Sequence, residues 1–194
     1  MSDLLLWQRL KEGHKSALAT IYNDHAVALL KYGKKFSRNT QLIEDCIQDL
    51  FVELWKNREG LSPTDSIQRY LLVALRRKVI RQLQQFYKRN IDSEPTELNF
   101  EAELSIDEAI VQTEMASERV IQLKEAMEKL SKRQKEAVYL KYISGMDYED
   151  ISAIMDLNYQ SVRNLVSTAL KKMKGILIPT LLLIYYLWIE ILFF

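Results

Sequence analysis

From residue 160 to 174 the apolar positions Val162, Leu165, Val166, Ala169 and Met173 recur at i, i+3, i+4, i+7 and i+11. That spacing predicts one buried stripe on a helix. The opposite stripe carries Gln160, Arg163, Asn164, Ser167 and Lys171, hydrogen-bonding and cationic side chains of the kind that meet base edges and phosphates in a major groove. Asp147 is placed to cap a preceding helix. Asn158 is placed to cap the striped one, after the turn Asp156-Leu157-Asn158. Two helices about a tight turn, the second with a polar outer face, make DNA the leading partner.

The same pattern continues upstream. Asp3 is expected to cap a first helix ending near Gly13, and Ser16 a second running to about Lys35. Thr40 opens a third over residues 41–57, with Leu42, Ile43, Cys46, Ile47, Leu50, Phe51, Leu54 and Trp55 as its apolar stripe. Its other face carries Asp45, Gln48, Asp49 and Glu53. Gly60 and Pro63 mark a loop over 57–64. Ser66 then caps a fourth helix through about Tyr87, with Arg77, Lys78, Arg81 and Lys88 on one side. A C-terminal module opens at Ser117. In it Ser131 and Gln134 form a capping box that starts a helix ending at Gly145, a natural C′ residue.

Composition fits an all-α chain of two small domains. There are 5 Gly and 3 Pro in 194 residues, and no alternating β-branched runs. The single cysteine, Cys46, has no partner for an internal disulfide, which suits a reducing cytoplasm. Ser2 and Asp3 after Met1, without a basic segment and long apolar run, predict no secretory signal. A net charge of +1 hides a strong asymmetry. Residues 69–91 hold Arg69, Arg76, Arg77, Lys78, Arg81, Lys88 and Arg89 and no acid, interleaved with Tyr70, Phe86 and Tyr87. Residues 92–118 hold nine acids and no Lys or Arg. Each field acts locally, since screening cuts off at about 8 Å. The polar stretch 92–99, with Pro95, reads as the flexible start of an acidic linker. The expected layout is a first domain over 1–90, linker over 91–116, second domain over 117–174 and an apolar tail over 175–194.

Catalytic chemistry finds no support. His14 and His25 lie far from Cys46 in sequence, and no metal-ligand spacing, phosphate loop or nucleophile motif occurs. No enzyme activity, metal or cofactor is expected.

Three stretches carry a family resemblance. Residues 44–56, EDCIQDLFVELWK, resemble region 2 of bacterial sigma factors. The lead-in GHKSALATIYNDHAVALLKYGKKF is similar to the start of that region in the extracytoplasmic-function (ECF) group. Residues 130–174 resemble region 4 of the same group throughout. The two patterns stand in the expected order across residues 3–174, joined by an acidic linker.

The resemblance implies a transcription initiation factor that binds core RNA polymerase and brings it to promoters. It implies contacts with the polymerase β′ clamp helices and the β flap, and with duplex and melted promoter DNA. Asp45, Gln48 and Asp49 would meet the clamp helices, with Phe51, Leu54 and Trp55 packing at or beneath the contact. At the −10 element Arg76, Arg77, Lys78 and Arg81 would neutralise phosphates, and Tyr70 would offer a stacking face. The loop 57–64 would accept a base flipped from the non-template strand. At the −35 element the contacts would be Gln160, Ser161, Arg163, Asn164 and Ser167, with Lys171 and Lys172 on phosphates. Two departures imply weaker readout. Arg77 stands where the family commonly has Asn, and Leu165, Thr168 and Leu170 stand where many relatives have cations. Promoter choice is therefore expected to draw on a further protein, an anti-sigma or recruiting factor.

The tail ILIPTLLLIYYLWIEILFF, residues 176–194, would span about 28 Å as a helix, close to a bilayer core. Lys171, Lys172 and Lys174 flank it, and Pro179 and Glu190 interrupt it. Burial against a partner or the chain itself, membrane association and disorder all remain open; an apolar run this long calls for a cover. Two other classes of protein fit parts of the chain: a helix-turn-helix regulator that does not bind polymerase, and a tail-anchored membrane regulator. Neither accounts for the 44–56 pattern followed by a basic aromatic helix.

Overall fold

The computed structural model describes residues 2–90, 100 and 114–174. The helices are α1 (Asp3–Lys11), α2 (Lys15–Gly33), α3 (Thr40–Lys56), α4 (Ile67–Asn90), α5 (Glu114–Glu128), α6 (Lys132–Tyr142) and α7 (Tyr148–Met155). An eighth, α8, covers 159–174, and a 3-10 turn lies at Arg58–Gly60. No strand occurs among the described residues, so the all-α expectation holds. The acidic stretch between Phe100 and α5, the polar segment around Pro95, the tail 175–194 and the side chains of Tyr87, Lys88 and Arg89 lie outside the described residues.

The helices form two compact units, one holding α1–α4, Phe100 and α7, the other α5, α6 and α8. In the first, α4 packs on α2, α3 and α7. Its Ile67, Leu71 and Leu75 are fully buried, as are Ile21 of α2 and Ile43 of α3. Cys46 is buried in this core, and burial pushes its thiol up to about 11. Phe36 lies edge-to-face with both Tyr32 and Phe100, its centroid 5.1 Å from that of Phe100.

In the second unit, Ala126, Met127 and Leu130 of the α5 end pack with Val138 of α6 and Ala169 and Met173 of α8. Ser131 and Gln134 form the expected capping box. α6 ends at Tyr142 with Ile143 as its C-cap, so Gly145, in the left-handed conformation at φ +70°, lies two residues beyond the cap rather than at the expected C′ position.

Several caps differ from the local expectation. α1 begins at Asp3 with Ser2 as its N-cap, and the Asp3 carboxylate reaches across the fold to α4 instead. His14, not Ser16, precedes α2, so Ser16 lies inside the helix. Asn39 rather than Thr40 caps α3, its side chain accepting from the Leu42 N–H at 3.1 Å. A single helical register of Asx or Ser/Thr residues offers several near-equal caps, and packing selects among them.

Gly33, the last residue of α2, lies directly against Ile43 of α3; a Cβ there would overlap the Ile43 Cγ2. Gly33→Ala would gain about 0.5–1 kcal/mol of helix propensity but is expected to lose about 1–3 kcal/mol to overpacking. A lowered urea midpoint checks this. The loss should shrink in an Ile43→Ala background, where the clashing methyl is gone.

Candidate promoter and polymerase interface

α3 separates its faces cleanly. Phe51 and Leu54 are buried, Trp55 is half-buried, and Asp45, Gln48 and Asp49 are exposed. Phe51 meets Tyr22 edge-on at 5.0 Å, which makes it and Leu54 core residues beneath the acidic face. Asp45 accepts from the Gln41 Nε2 at 2.8 Å. Asp45, Gln48 and Asp49 line one polar cleft of about 520 Å³ together with Asn39, Gln41 and Gln82. Gln48 also borders an apolar cleft of about 430 Å³ between α2 and α3, whose walls include Tyr22, Val27 and Ile47.

α4 distributes its cations unevenly. Arg77 and Arg81 are exposed and lie one turn apart, while Arg76 is half-buried. Lys78 turns toward α3, where its Nζ donates to the Glu53 Oε1 at 2.7 Å. Arg69 donates to the Asp150 Oδ1 at 2.8 Å and also pairs with Asp65; the bond to Asp150, ahead of the Asp65 charge, raises its pKa. Tyr70 is half-buried, its ring T-shaped against Trp7 at 4.8 Å. Burial, followed by the nearby Glu53 charge, pushes its phenol pKa up. Tyr70 is thus already packed on one side by Trp7.

The loop joining α3 to α4 begins with the 3-10 turn. The Arg58 Nη1 donates to the Trp55 carbonyl at 2.9 Å, and the guanidinium lies 4.6 Å over the Trp55 ring. Glu59, Gly60, Ser62, Pro63 and Asp65 face solvent. Ser66 caps α4 as expected, accepting from the Arg69 N–H at 3.1 Å.

α7 and α8 follow one another across the turn at 156–158, the order a helix-turn-helix requires. Asp147 accepts from the Asp150 N–H at 2.7 Å, and Asn158 from the Ser161 N–H at 2.7 Å. Asp156 closes α7 in the left-handed conformation at φ 54°, which a short Asp side chain tolerates. In α8, Val162, Val166, Ala169 and Met173 are buried and Leu165 half-buried. Gln160, Arg163, Asn164, Ser167 and Lys171 are exposed, and Ser161 is half-buried. Gln160 donates to Asn164 at 3.1 Å, and the Arg163 guanidinium sits 5.9 Å from the Tyr159 ring centroid. The Lys172 Nζ donates to the Gln134 Oε1 of α6 at 3.1 Å.

His14 is exposed beside Glu12. Among the described residues no three His, Cys, Asp or Glu side chains gather as a metal site, and no helix is long and apolar enough to cross a membrane.

Two family models match the chain, Sigma-70 region 2 over residues 21–89 and Sigma-70, region 4 over residues 121–173. Together they cover well over half of it, and the chain belongs to the sigma-70 family of RNA polymerase initiation factors. Its pairing of region 2 with this form of region 4 is that of the ECF group. It is thus a transcription initiation factor, whose region 2 serves core polymerase and −10 DNA and whose region 4 serves −35 DNA. These are families of non-enzymatic transcription factors. Two solved structures have the same fold. CnrH in complex with the cytosolic domain of CnrY matches 90% of this chain and 96% of its own, at 20% identity and a TM-score of 0.60. The sigma factor RpoE in complex with the anti-sigma factor NepR, from Bartonella quintana, matches 86% and 97%, at 20% identity and a TM-score of 0.55. No curated protein matches the chain.

Proposed function

We propose that this factor grips core polymerase through the exposed row Asp45, Gln48 and Asp49 on α3, backed by Phe51, Leu54 and Trp55. In this reading Arg77 and Arg81, with Arg76 beside them, carry the −10 phosphates, and the loop 57–64 receives the flipped base. Gln160, Ser161, Arg163, Asn164 and Ser167 face the −35 bases, and Lys171 meets phosphate. Lys78 and Lys172 hold the fold through Glu53 and Gln134, and Tyr70 stacks from a fixed position. The carrying observation is the segregation of exposed charge, acidic on α3 and basic on α4 and the outer face of α8. The factor acts in the cytoplasm, where polymerase is.

Thr168 and Leu170 are exposed on α8 and add no charge to its outer face. That supports a second protein sharing promoter choice. An anti-sigma protein is the chemistry we propose, since RpoE is held by one in its complex with NepR.

The test combines purified factor, core polymerase and promoter DNA, read by core pull-down and by permanganate reactivity of melted thymines. Core binding with promoter-specific melting is expected; absence of core binding overturns the reading. Arg163→Ala should lose about 1–3 kcal/mol of discrimination at one −35 base pair and leave the others alone. Strong promoter selection by factor and core alone would remove the need for a helper protein.

A further inference from the structure

α1 lies outside both family matches, the earlier of which begins at residue 21, yet its contacts reach the segment between α3 and α4 and the first turn of α4. The Trp7 Nε1 donates to the Ser62 carbonyl at 2.9 Å, across 55 positions of sequence. Trp7 is buried and lies edge-on to Tyr70, the first aromatic of α4. The Asp3 Oδ2 accepts from the Ile67 N–H at 2.8 Å, so a residue 64 positions away caps the first turn of α4. At the other end of the segment Gly13, held at φ +86°, brings its backbone beside the Arg58 side chain; an added Cβ would stand 3.6 Å from the Arg58 Nε.

The loop is therefore tied at its base to α1 and solvent-facing along its rim at Glu59, Gly60, Ser62, Pro63 and Asp65. A loop that must capture an unstacked base loses affinity if it orders only on capture, and contacts that fix it beforehand recover that loss. A buried Trp N–H spent on a loop carbonyl, and a carboxylate spent on a helix start, are contacts of that kind.

We propose that Trp7 and Asp3 are positioning residues for −10 base capture: α1 is a strut that holds the 57–64 loop and Tyr70 in their base-receiving arrangement. This rests on the reading above that the loop accepts the flipped base.

The test uses full-length factor assembled with core polymerase, carrying Trp7→Phe, which keeps an aromatic ring against Tyr70 but removes the donor to Ser62, or Asp3→Ala. Open-complex formation is measured on promoters bearing each base in turn at every −10 position, beside core affinity and thermal melting. Trp7→Phe is expected to cut the best-to-worst base ratio at the captured position by roughly tenfold, the scale of one lost base contact, with core affinity unchanged. Asp3→Ala should give the same pattern with a smaller amplitude. Unchanged ratios, or a uniform loss at every position, would overturn the proposal. If Trp7→Phe fails to fold, Asp3→Ala decides by the same readout. A wild-type factor that binds no core, or opens no promoter, overturns the parent reading instead.

Discussion

Leu75→Ala is expected to remove about 2–5 kcal/mol from the stability of the first unit. Leu75 is fully buried on α4, the helix that packs on α2, α3 and α7. Truncation there loses apolar burial and leaves a void that helices fixed by their own caps close poorly. A domain of this size holds only about 5–15 kcal/mol in total, so one side chain decides a large share. Urea unfolding should show a lower midpoint with an unchanged slope. Leu4→Ala, at a position 60% exposed, should move the midpoint by no more than about 0.5 kcal/mol. Similar losses at both sites would contradict the burial described for α4.

Reversing charge at Asp45 and Asp49 together, as Lys, is expected to weaken core polymerase binding roughly 10- to 100-fold, about 1.4–2.8 kcal/mol. Both residues are exposed and line the same polar cleft. Surface substitutions of this sort cost the fold no more than about 0.5 kcal/mol each. Thermal melting should therefore stay near the wild-type value while core affinity falls, and the effect should diminish at high salt as charges are screened. Unchanged core affinity would remove the α3 face from the polymerase contact.

The contrast between what was legible in the sequence and what was not follows sequence distance. The buried stripe of α8, the capping box at Ser131 and Gln134, and the caps at Asp147, Ser66 and Asn158 are all set within a turn or two of chain, and each reads directly from spacing. The Asp3 carboxylate has the local credentials of an α1 cap, but its partner is the Ile67 N–H, brought near only by packing. Tyr70 reads as an available stacking face because Trp7, which covers one edge, lies far upstream. Lys78 counts as a cation in any sequence window, yet its charge is paired with Glu53 of a neighbouring helix. Pattern places a charge on a helix; only tertiary packing tells whether that charge is already spent. Trp7 shows the same limit in reverse, since an indole at the start of a chain gives no local sign that it supports a loop 55 positions away.

The pairing of Lys78 with Glu53 has a consequence in the ionic atmosphere of DNA. Each phosphate neutralised releases condensed counterions and adds about −0.9 to the slope of log affinity against log salt. In the proposed reading Arg76, Arg77 and Arg81 would contribute roughly −2.7, where the four cations Arg76, Arg77, Lys78 and Arg81 would contribute nearly −4. The region 2 grip on DNA is correspondingly less driven by counterion entropy and less sensitive to the salt around it, leaving more of its strength to the arrangement of loop and ring.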